Sequence, residues 1–219
     1  NTPLAAIKLQ AQLARRASDA QRADALDELD AGIERATHLV SQLLQMARLE
    51  PDVRERAPQA VRCDRLAART VSAFSASADA RRIDLGLEAS DAASAWADPD
   101  ELRVLLDNLV DNALRYTPPN GRVRIRCGCV DTEAGPAGYV EVADDGPGVP
   151  ASERESIFRR FHRVPGNGGR GSGIGLSLVA GIARLHLATI VTGPGIDGRG
   201  FSVRVQFPAV AASAGNTPA

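Results

Sequence analysis

Asp98-Pro99-Asp100-Glu101-Leu102-Arg103-Val104-Leu105-Leu106-Asp107-Asn108-Leu109-Val110-Asp111-Asn112-Ala113-Leu114-Arg115-Tyr116 reads as one helix with two unlike faces, and the rest of the chain arranges itself around it. Asp98 is an N-cap, Pro99 suits the first helical position and Glu101 completes a capping box. Thr117-Pro118-Pro119-Asn120-Gly121 ends the helix. Leu102, Leu105, Leu106, Leu109, Val110 and Ala113 recur at helical spacing and form the buried face. Asn108, Asn112, Arg115 and Tyr116 fall on a second stripe. Amide oxygens suit Mg²⁺, a guanidinium suits phosphates, and a tyrosine ring covers a base. An ordinary solvated polar face explains the same stripe, so the helix alone decides nothing about chemistry.

Working outward, Cys63 to Ala80 is expected as a helix with Asp64 as a candidate cap, and Ile83 to Glu88 as a strand. Arg122–Val130 and Tyr139–Ala143 follow as strands. Ser152 to Phe161 is expected as a short helix and Ser172 to His186 as a longer one, with final strands at Thr189–Thr192 and Phe201–Phe207. Strands interspersed with helices predict an α/β sandwich, with helices layered on one face of a mixed sheet. Within Arg122–Val130, Val123, Ile125, Cys127 and Cys129 share one face and Arg122, Arg124 and Arg126 the other. Cys63, Cys127 and Cys129 are then small core residues, in keeping with a reducing compartment.

Two further segments carry chemistry. Val142-Ala143-Asp144-Asp145-Gly146-Pro147-Gly148 delivers a carboxylate from a strand into a turn whose glycines let a ligand approach the backbone. A buried Asp144 is suited to accept a hydrogen bond from an adenine amino group. A plain Asp-Gly-Pro-Gly turn is the other reading. Gly169-Arg170-Gly171-Ser172-Gly173-Ile174-Gly175-Leu176 opens an apolar helix, an arrangement whose clustered amides bind anions. It follows Val164-Pro165-Gly166-Asn167-Gly168 rather than a strand, so it reads as a lid and not as a dinucleotide fingerprint. Between them, Phe158 and Phe161 are expected to anchor the lid base in the core, with Arg160 or Arg163 reaching a phosphate.

Ahead of these, residues 1–50 read as a helical hairpin, with the polar run Arg15-Arg16-Ala17-Ser18-Asp19-Ala20 as its turn. Leu26, Leu29, Ile33, Ala36, Val40, Leu43 and Ala47 keep the alternating 3–4 spacing of a coiled-coil seam, which Leu39, Leu44 and Met46 widen. That much apolar surface predicts a four-helix bundle with a second copy; an intramolecular bundle is the alternative. Residues 51–60, with Pro51 and Pro58, read as a linker, 61–208 as the second domain, and 209–219 as a disordered tail.

Composition narrows the function. Net charge is −1 over 219 residues, so nothing global argues for nucleic acid or an anionic membrane as partner. Lys8 is the single lysine and lies in neither a P-loop nor a eukaryotic-type kinase site, both of which need one at the phosphates. No apolar run is long enough to span a bilayer. The chain starts at Asn1 and Met46 is its one methionine, which predicts a preceding segment.

Taken in order, these segments resemble the boxes of bacterial sensor histidine kinases. Asn108–Thr117 resembles the N box, Asp144-Asp145-Gly146-Pro147-Gly148 the first glycine box, Phe158–Phe161 the F box and Gly171–Gly175 the second glycine box. Asn1-Thr2-Pro3-Leu4 is similar to the end of the phosphoacceptor motif His-Glu-Leu-x-Thr-Pro-Leu, so the resemblance runs from the start of the chain to Phe207. It implies an α+β protein: a helical hairpin forming a dimeric four-helix bundle, then a Bergerat-type α/β sandwich that binds ATP and Mg²⁺. It implies Asn112 as a Mg²⁺ ligand with Asn108 beside it, Tyr116 next to adenine, Arg115 near the phosphates and Asp144 reading the adenine. Gly146, Gly148, Gly171, Gly173, Gly175 and Leu176 would shape the pocket and the lid hinge.

The resemblance further implies phosphoryl transfer from ATP to a histidine and on to an aspartate of a response-regulator receiver. The protein would work as a homodimer, from a cytoplasmic segment anchored in the inner membrane. The phosphoacceptor histidine would precede Asn1, so this chain alone should bind ATP without autophosphorylating. His38, His162 and His186 read as structural. Thr2 matches the threonine used in dephosphorylating the receiver. Leu187-Ala188 stands where the family often has two glycines, and Gly198-Arg199-Gly200 resembles a third glycine box that lacks its usual threonine. The rival readings are a gyrase-, mismatch-repair- or chaperone-type ATPase, and a non-catalytic nucleotide-binding dimerisation scaffold.

Overall fold

The computed structural model describes residues 3–16, positions 21, 24–26, 28, 29, 32, 33 and 36, and then residues 58–88, 93–133, 135–162, 164 and 173–209. The chain divides into two compact units, Asn1–Glu50 and Pro51–Ala219.

In the first unit, α1 spans Pro3–Arg16, the proline sitting at the helix start where its missing N–H costs nothing. Leu26, Leu29, Ile33 and Ala36 of the expected seam are helical; Val40, Leu43 and Ala47, like Leu39, Leu44 and Met46, lie outside the described residues. Leu9, Leu13, Leu26 and Ile33 are all exposed, so each presents apolar surface to solvent in the single chain.

The second unit begins with β1 (Gln59–Arg62) and α2 (Cys63–Arg81), followed by β2 (Asp84–Leu87), β3 (Ser94–Ala97) and α3 (Pro99–Tyr116). The hairpin β4 (Arg122–Thr132) and β5 (Gly135–Asp144) comes next, then α4 (Gly175–Leu185), β6 (Thr189–Gly193) and β7 (Ser202–Gln206). A five-stranded sheet runs β2-β4-β5-β7-β6; β2 and β4 are parallel and every other pair is antiparallel. Leu102, Leu105, Leu106, Leu109, Val110 and Ala113 of α3 are all buried, as the spacing required. They share the core with Leu178 and Ile182 of α4, Leu66 of α2, and Val123, Ile125, Val140 and Val205 of the sheet. This is the α+β class expected from the sequence.

The N-cap of α3 forms as expected at Asp98, whose carboxylate accepts from the N–H groups of Asp100 at 3.0 Å and Glu101 at 3.1 Å, while the Glu101 carboxylate bonds His186 at 2.8 Å. The expected cap of α2 does not form. Arg62 occupies the N-cap without a side-chain bond, and Asp64 lies inside the first turn, ion-paired with Arg62 at 2.7 Å.

Three other expectations are corrected. The linker expected over 51–60 overlaps β1, which pairs antiparallel with β3. Both strands are short and contain no aromatic or β-branched residue apart from Val61 and Trp96, so period-2 patterning does not reveal them. The helix expected over Ser152–Phe161 is instead two single 3₁₀ turns, Ala151–Glu153 and Ser156–Phe158. Ile157 is the one residue those turns bury, and a helix needs a continuous apolar stripe. Cys63 and Cys127 are core residues, but Cys129 is exposed. Beyond Ile125 β4 no longer pairs with β2, and beyond Gly138, whose carbonyl accepts from the Phe207 N–H at 2.9 Å, β5 no longer bonds the strand beside it.

The face carrying Arg124 and Arg126 is built from ion pairs. Arg124 pairs with Asp84 and Arg126 with Glu88. Glu141, 4% exposed, lies between Arg126 at 3.6 Å and Arg204 at 2.7 Å, and Arg204 also stacks over the Tyr139 ring at 4.4 Å. A buried carboxylate flanked by two guanidiniums is compensated where a lone one would not survive.

At the end of α4, the Ala188 N–H bonds the Ala183 carbonyl at 2.8 Å and the Leu187 N–H bonds that of Arg184 at 3.2 Å, the two bonds of a Schellman cap. Leu187 therefore takes the left-handed position, φ 54°, and is 82% exposed. A leucine there is strained and its side chain packs against little. Leu187→Gly is expected to stabilise the domain by about 0.5–1 kcal/mol, the relief of left-handed strain less the added unfolded-state entropy. A higher denaturant midpoint at unchanged m-value would show it; a lower one would place the leucine in an unrecognised contact.

Candidate functional site

Asp144 ends β5 with a side chain removed from water: the residue is 7% exposed. Its Oδ1 accepts from the Gly146 N–H at 2.9 Å and the Phe201 N–H at 3.3 Å. Its own N–H is held by the Phe201 carbonyl at 3.0 Å. Burial dominates its titration and raises its pKa to about 6; the two backbone donors oppose this, and neighbouring Asp145 adds to it.

Glycines surround this carboxylate because nothing larger fits. A Cβ on Gly146 would stand 2.9 Å from the Tyr116 carbonyl oxygen and 3.0 Å from Asp144 Oδ1. One on Gly200, at φ 72°, would stand 2.6 Å from the same Oδ1, and one on Gly195 would strike the Asp144 carbonyl. Gly148, at φ 75°, abuts the Gly200 carbonyl at 2.8 Å from its would-be Cβ. The C-terminal end of α3, the turn after β5 and the loop between β6 and β7 thus converge on one acid. Gly146 and Gly148 were legible in the sequence. The packing of Gly195 was not, and Gly200 was read only as part of a third glycine box; the repeated Gly193-Pro194-Gly195 and Gly198-Arg199-Gly200 pattern was the available signal.

On α3, Asn108 is buried and its Nδ2 donates to the Val104 carbonyl one turn back at 2.8 Å. Asn112, Arg115 and Tyr116 are half-buried on the same stripe. Arg115 pairs with Asp111 at 2.9 Å. At the glycine loop, Gly173 has φ 70° and its carbonyl accepts from the Phe161 N–H at 2.8 Å. A Cβ on Gly173 would lie 2.9 Å from the Phe161 Cα. Gly175 and Leu176 open α4 directly after the buried Ile174.

The two phenylalanines do not anchor this region together. Phe158 is half-buried, Phe161 is 68% exposed with φ 63°, and Ile157 fills the core position. The backbone of Phe161, not its ring, makes the junction. Arg160 is exposed. Thr2, Arg163, Gly171 and His38 lie outside the described residues. His162 bonds Glu153 at 2.7 Å and His186 bonds Glu101 at 2.8 Å, so both described histidines have carboxylate partners.

Residues 97–211 match the family of histidine kinase-, DNA gyrase B- and HSP90-like ATPases, and residues 1–52 match the His kinase A (phospho-acceptor) domain. The chain is 37% identical over 220 residues to the sensor protein kinase PmrB of Pseudomonas aeruginosa, covering 100% of this chain and 45% of that protein. It is 37% identical over 215 residues to the sensor protein QseC of Salmonella typhi, covering 94% of this chain and 44% of that protein. The chain therefore spans less than half the length of these curated relatives. The solved structure of the Acinetobacter baumannii histidine kinase AdeS shares the fold, with a TM-score of 0.69 at 17% identity and 94% of each chain covered.

This chain belongs to the sensor histidine kinases: it carries the phosphoacceptor-type hairpin followed by the family's ATP-binding domain. Among the described residues no helix is long and apolar enough to cross a membrane.

The burial of Asp144 has a cost that can be measured. Its folded pKa of about 6 lies above the ordinary aspartate value, so the folded state binds the extra proton. Stability therefore falls as pH rises through roughly 4 to 6 and stays lower above it. Asp144→Asn removes that dependence. The variant should exceed wild type by on the order of 2 kcal/mol at pH 8 and match it near pH 4. Denaturant titration at the two pH values checks this, and equal stabilities at pH 8 would refute it.

Proposed function

We propose that the whole protein transfers the γ-phosphoryl group of ATP to a histidine on the hairpin and then to an aspartate of a response-regulator receiver. The observation that carries the reading is the buried, singly walled Asp144 carboxylate: a charged acceptor, enclosed by backbone, fitted to a flat donor such as the adenine amino edge. Its two in-plane backbone donors hold Oδ1, leaving Oδ2 to face a ligand. The Tyr116 carbonyl leaves no room for a Cβ on Gly146, which sets Tyr116 beside that turn, and its ring would cover the base.

Asn112 and Asn108 present the side-chain oxygens suited to Mg²⁺. Among the described residues no cluster of three or more histidine, cysteine or acidic side chains forms a metal cage. That donor set fits an ion that keeps most of its waters and arrives with phosphates. When bound, Mg²⁺ would neutralise phosphate charge. Arg115, steadied by Asp111, together with Arg160 and Arg163, would supply further positive charge to the triphosphate. The backbone at Gly173, Gly175 and Leu176 offers N–H groups at a helix start, and Gly171 is assigned to the same role by its motif alone.

Phosphoryl transfer needs little from the protein beyond positioning and charge. An imidazole nitrogen forms the new N–P bond as the bond from the γ-phosphorus to the bridging oxygen breaks, and ADP leaves. The receiver carboxylate then takes the group from the phosphohistidine. The exposed leucines of the hairpin support a homodimer through a four-helix bundle, and Thr2 is placed by its motif for receiver dephosphorylation. The catalytic segment would be cytoplasmic, tethered to the inner membrane by a part of the protein outside this chain.

In a calorimetric titration, Asp144→Ala should lose about tenfold to a hundredfold in ATP affinity, the worth of one hydrogen bond to a charged group. Binding as tight as wild type would displace the pocket. A chain extended to carry His-Glu-Leu before this hairpin should incorporate acid-labile phosphate from ATP, and Asn112→Ala in that chain should abolish the labelling. Brisk steady-state ATP hydrolysis by the unextended chain would favour a gyrase-type ATPase instead.

A further inference from the structure

Arg122, the first residue of β4, has no place in the motifs or in the roles above. Its guanidinium is divided between two acids that belong to different walls of the pocket. Nε lies 3.3 Å from Asp145 Oδ2, and Nη2 lies 2.7 Å from Asp197 Oδ2. Its backbone is joined to Asp145 as well: the Arg122 N–H donates to Asp145 Oδ1 at 2.7 Å, and the Arg122 carbonyl accepts from the Asp145 N–H at 3.2 Å.

Asp145 adjoins Asp144 and leads into Gly146. Asp197 sits in the turn Ile196–Gly198, between Gly195 and Gly200, the two glycines that press on Asp144. Ile196 is buried and pins one side of that turn. The Asp197 side chain is 74% exposed and its backbone has φ 53°, so little besides Arg122 fixes it.

We propose that Arg122 is a positioning residue for the adenine pocket, a clamp that holds the loop between β6 and β7 at a set distance from the turn after β5. The proposal rests on the reading of Asp144 as the adenine acceptor. The clamp keeps Gly200 and Gly146 standing on either side of that carboxylate before ligand arrives, so binding does not have to order the loop. An ion pair this exposed contributes little to overall stability. Its effect falls on affinity instead. A planar fork reaches both acids at once, which a lysine ammonium does not.

The test is calorimetric titration of ADP into the wild-type chain, Arg122→Ala, Arg122→Lys, Asp197→Ala and the Arg122→Ala/Asp197→Ala double variant, with denaturant unfolding of each. The three single variants should each bind about threefold to fivefold more weakly, the double variant no worse than either alanine single, and unfolding midpoints should stay near wild type. Wild-type affinity in Arg122→Lys would show that only positive charge matters and overturn the clamp. A double variant that loses the product of the two singles would also overturn it, as would midpoints that fall in step with affinity. Asp144→Asn separates the two readings. Unchanged ADP affinity there sinks the pocket assignment and the clamp with it, whereas a loss there beside unchanged affinity in Arg122→Ala sinks the clamp alone.

Discussion

The second unit depends on keeping one carboxylate dry. Asp144 terminates a central strand, and desolvation is the largest influence on its titration. A buried acid with only two hydrogen-bonded neighbours is tolerated when the backbone closes around it tightly enough to exclude water yet leaves one oxygen for a ligand. Two chain segments, the turn after β5 and the loop between β6 and β7, meet that requirement by giving up side chains. The glycines at 146, 195 and 200 are small because the peptide groups beside them already occupy the space. The immediate surroundings of Asp144 are thus built largely from main chain.

The contrast with Glu141 is instructive. It lies three residues earlier on the same strand and is as deeply buried, yet Arg126 and Arg204 flank it. One strand therefore presents two buried acids with opposite solutions, one neutralised by guanidiniums and one left without a cation. The uncompensated acid is the one at which the glycine loops converge, and a structural ion pair is the use found for the other.

Much of this was readable from the residues. The α3 helix was plain from its cap, its proline and its apolar spacing, and those are local signals of the strongest kind. The boxes at Asn108–Thr117, Asp144–Gly148 and Gly171–Gly175 pointed to a nucleotide, and the family comparison agrees. What escaped was what long-range geometry decides. Nothing local marks Gly195 as the residue that must clear the Asp144 carbonyl, since that neighbour is distant in sequence. The exposure of Cys129 depends on what packs over that end of the hairpin, which alternation along β4 does not encode. Phe161 was read as a core anchor because phenylalanines usually are, but its left-handed backbone turns the ring outward and makes its N–H the useful group.

That last hydrogen bond, from the Phe161 N–H to the Gly173 carbonyl, brackets the eleven residues 162–172. A loop stapled at its base is a module: the closure entropy of what hangs from it grows only by about 0.6 kcal/mol for each doubling of its length. Insertions, deletions or wholesale replacement between those two residues should leave the scaffold beneath undisturbed. Evolution, or an engineer, is then free to rewrite the sequence between those two residues without renegotiating the fold.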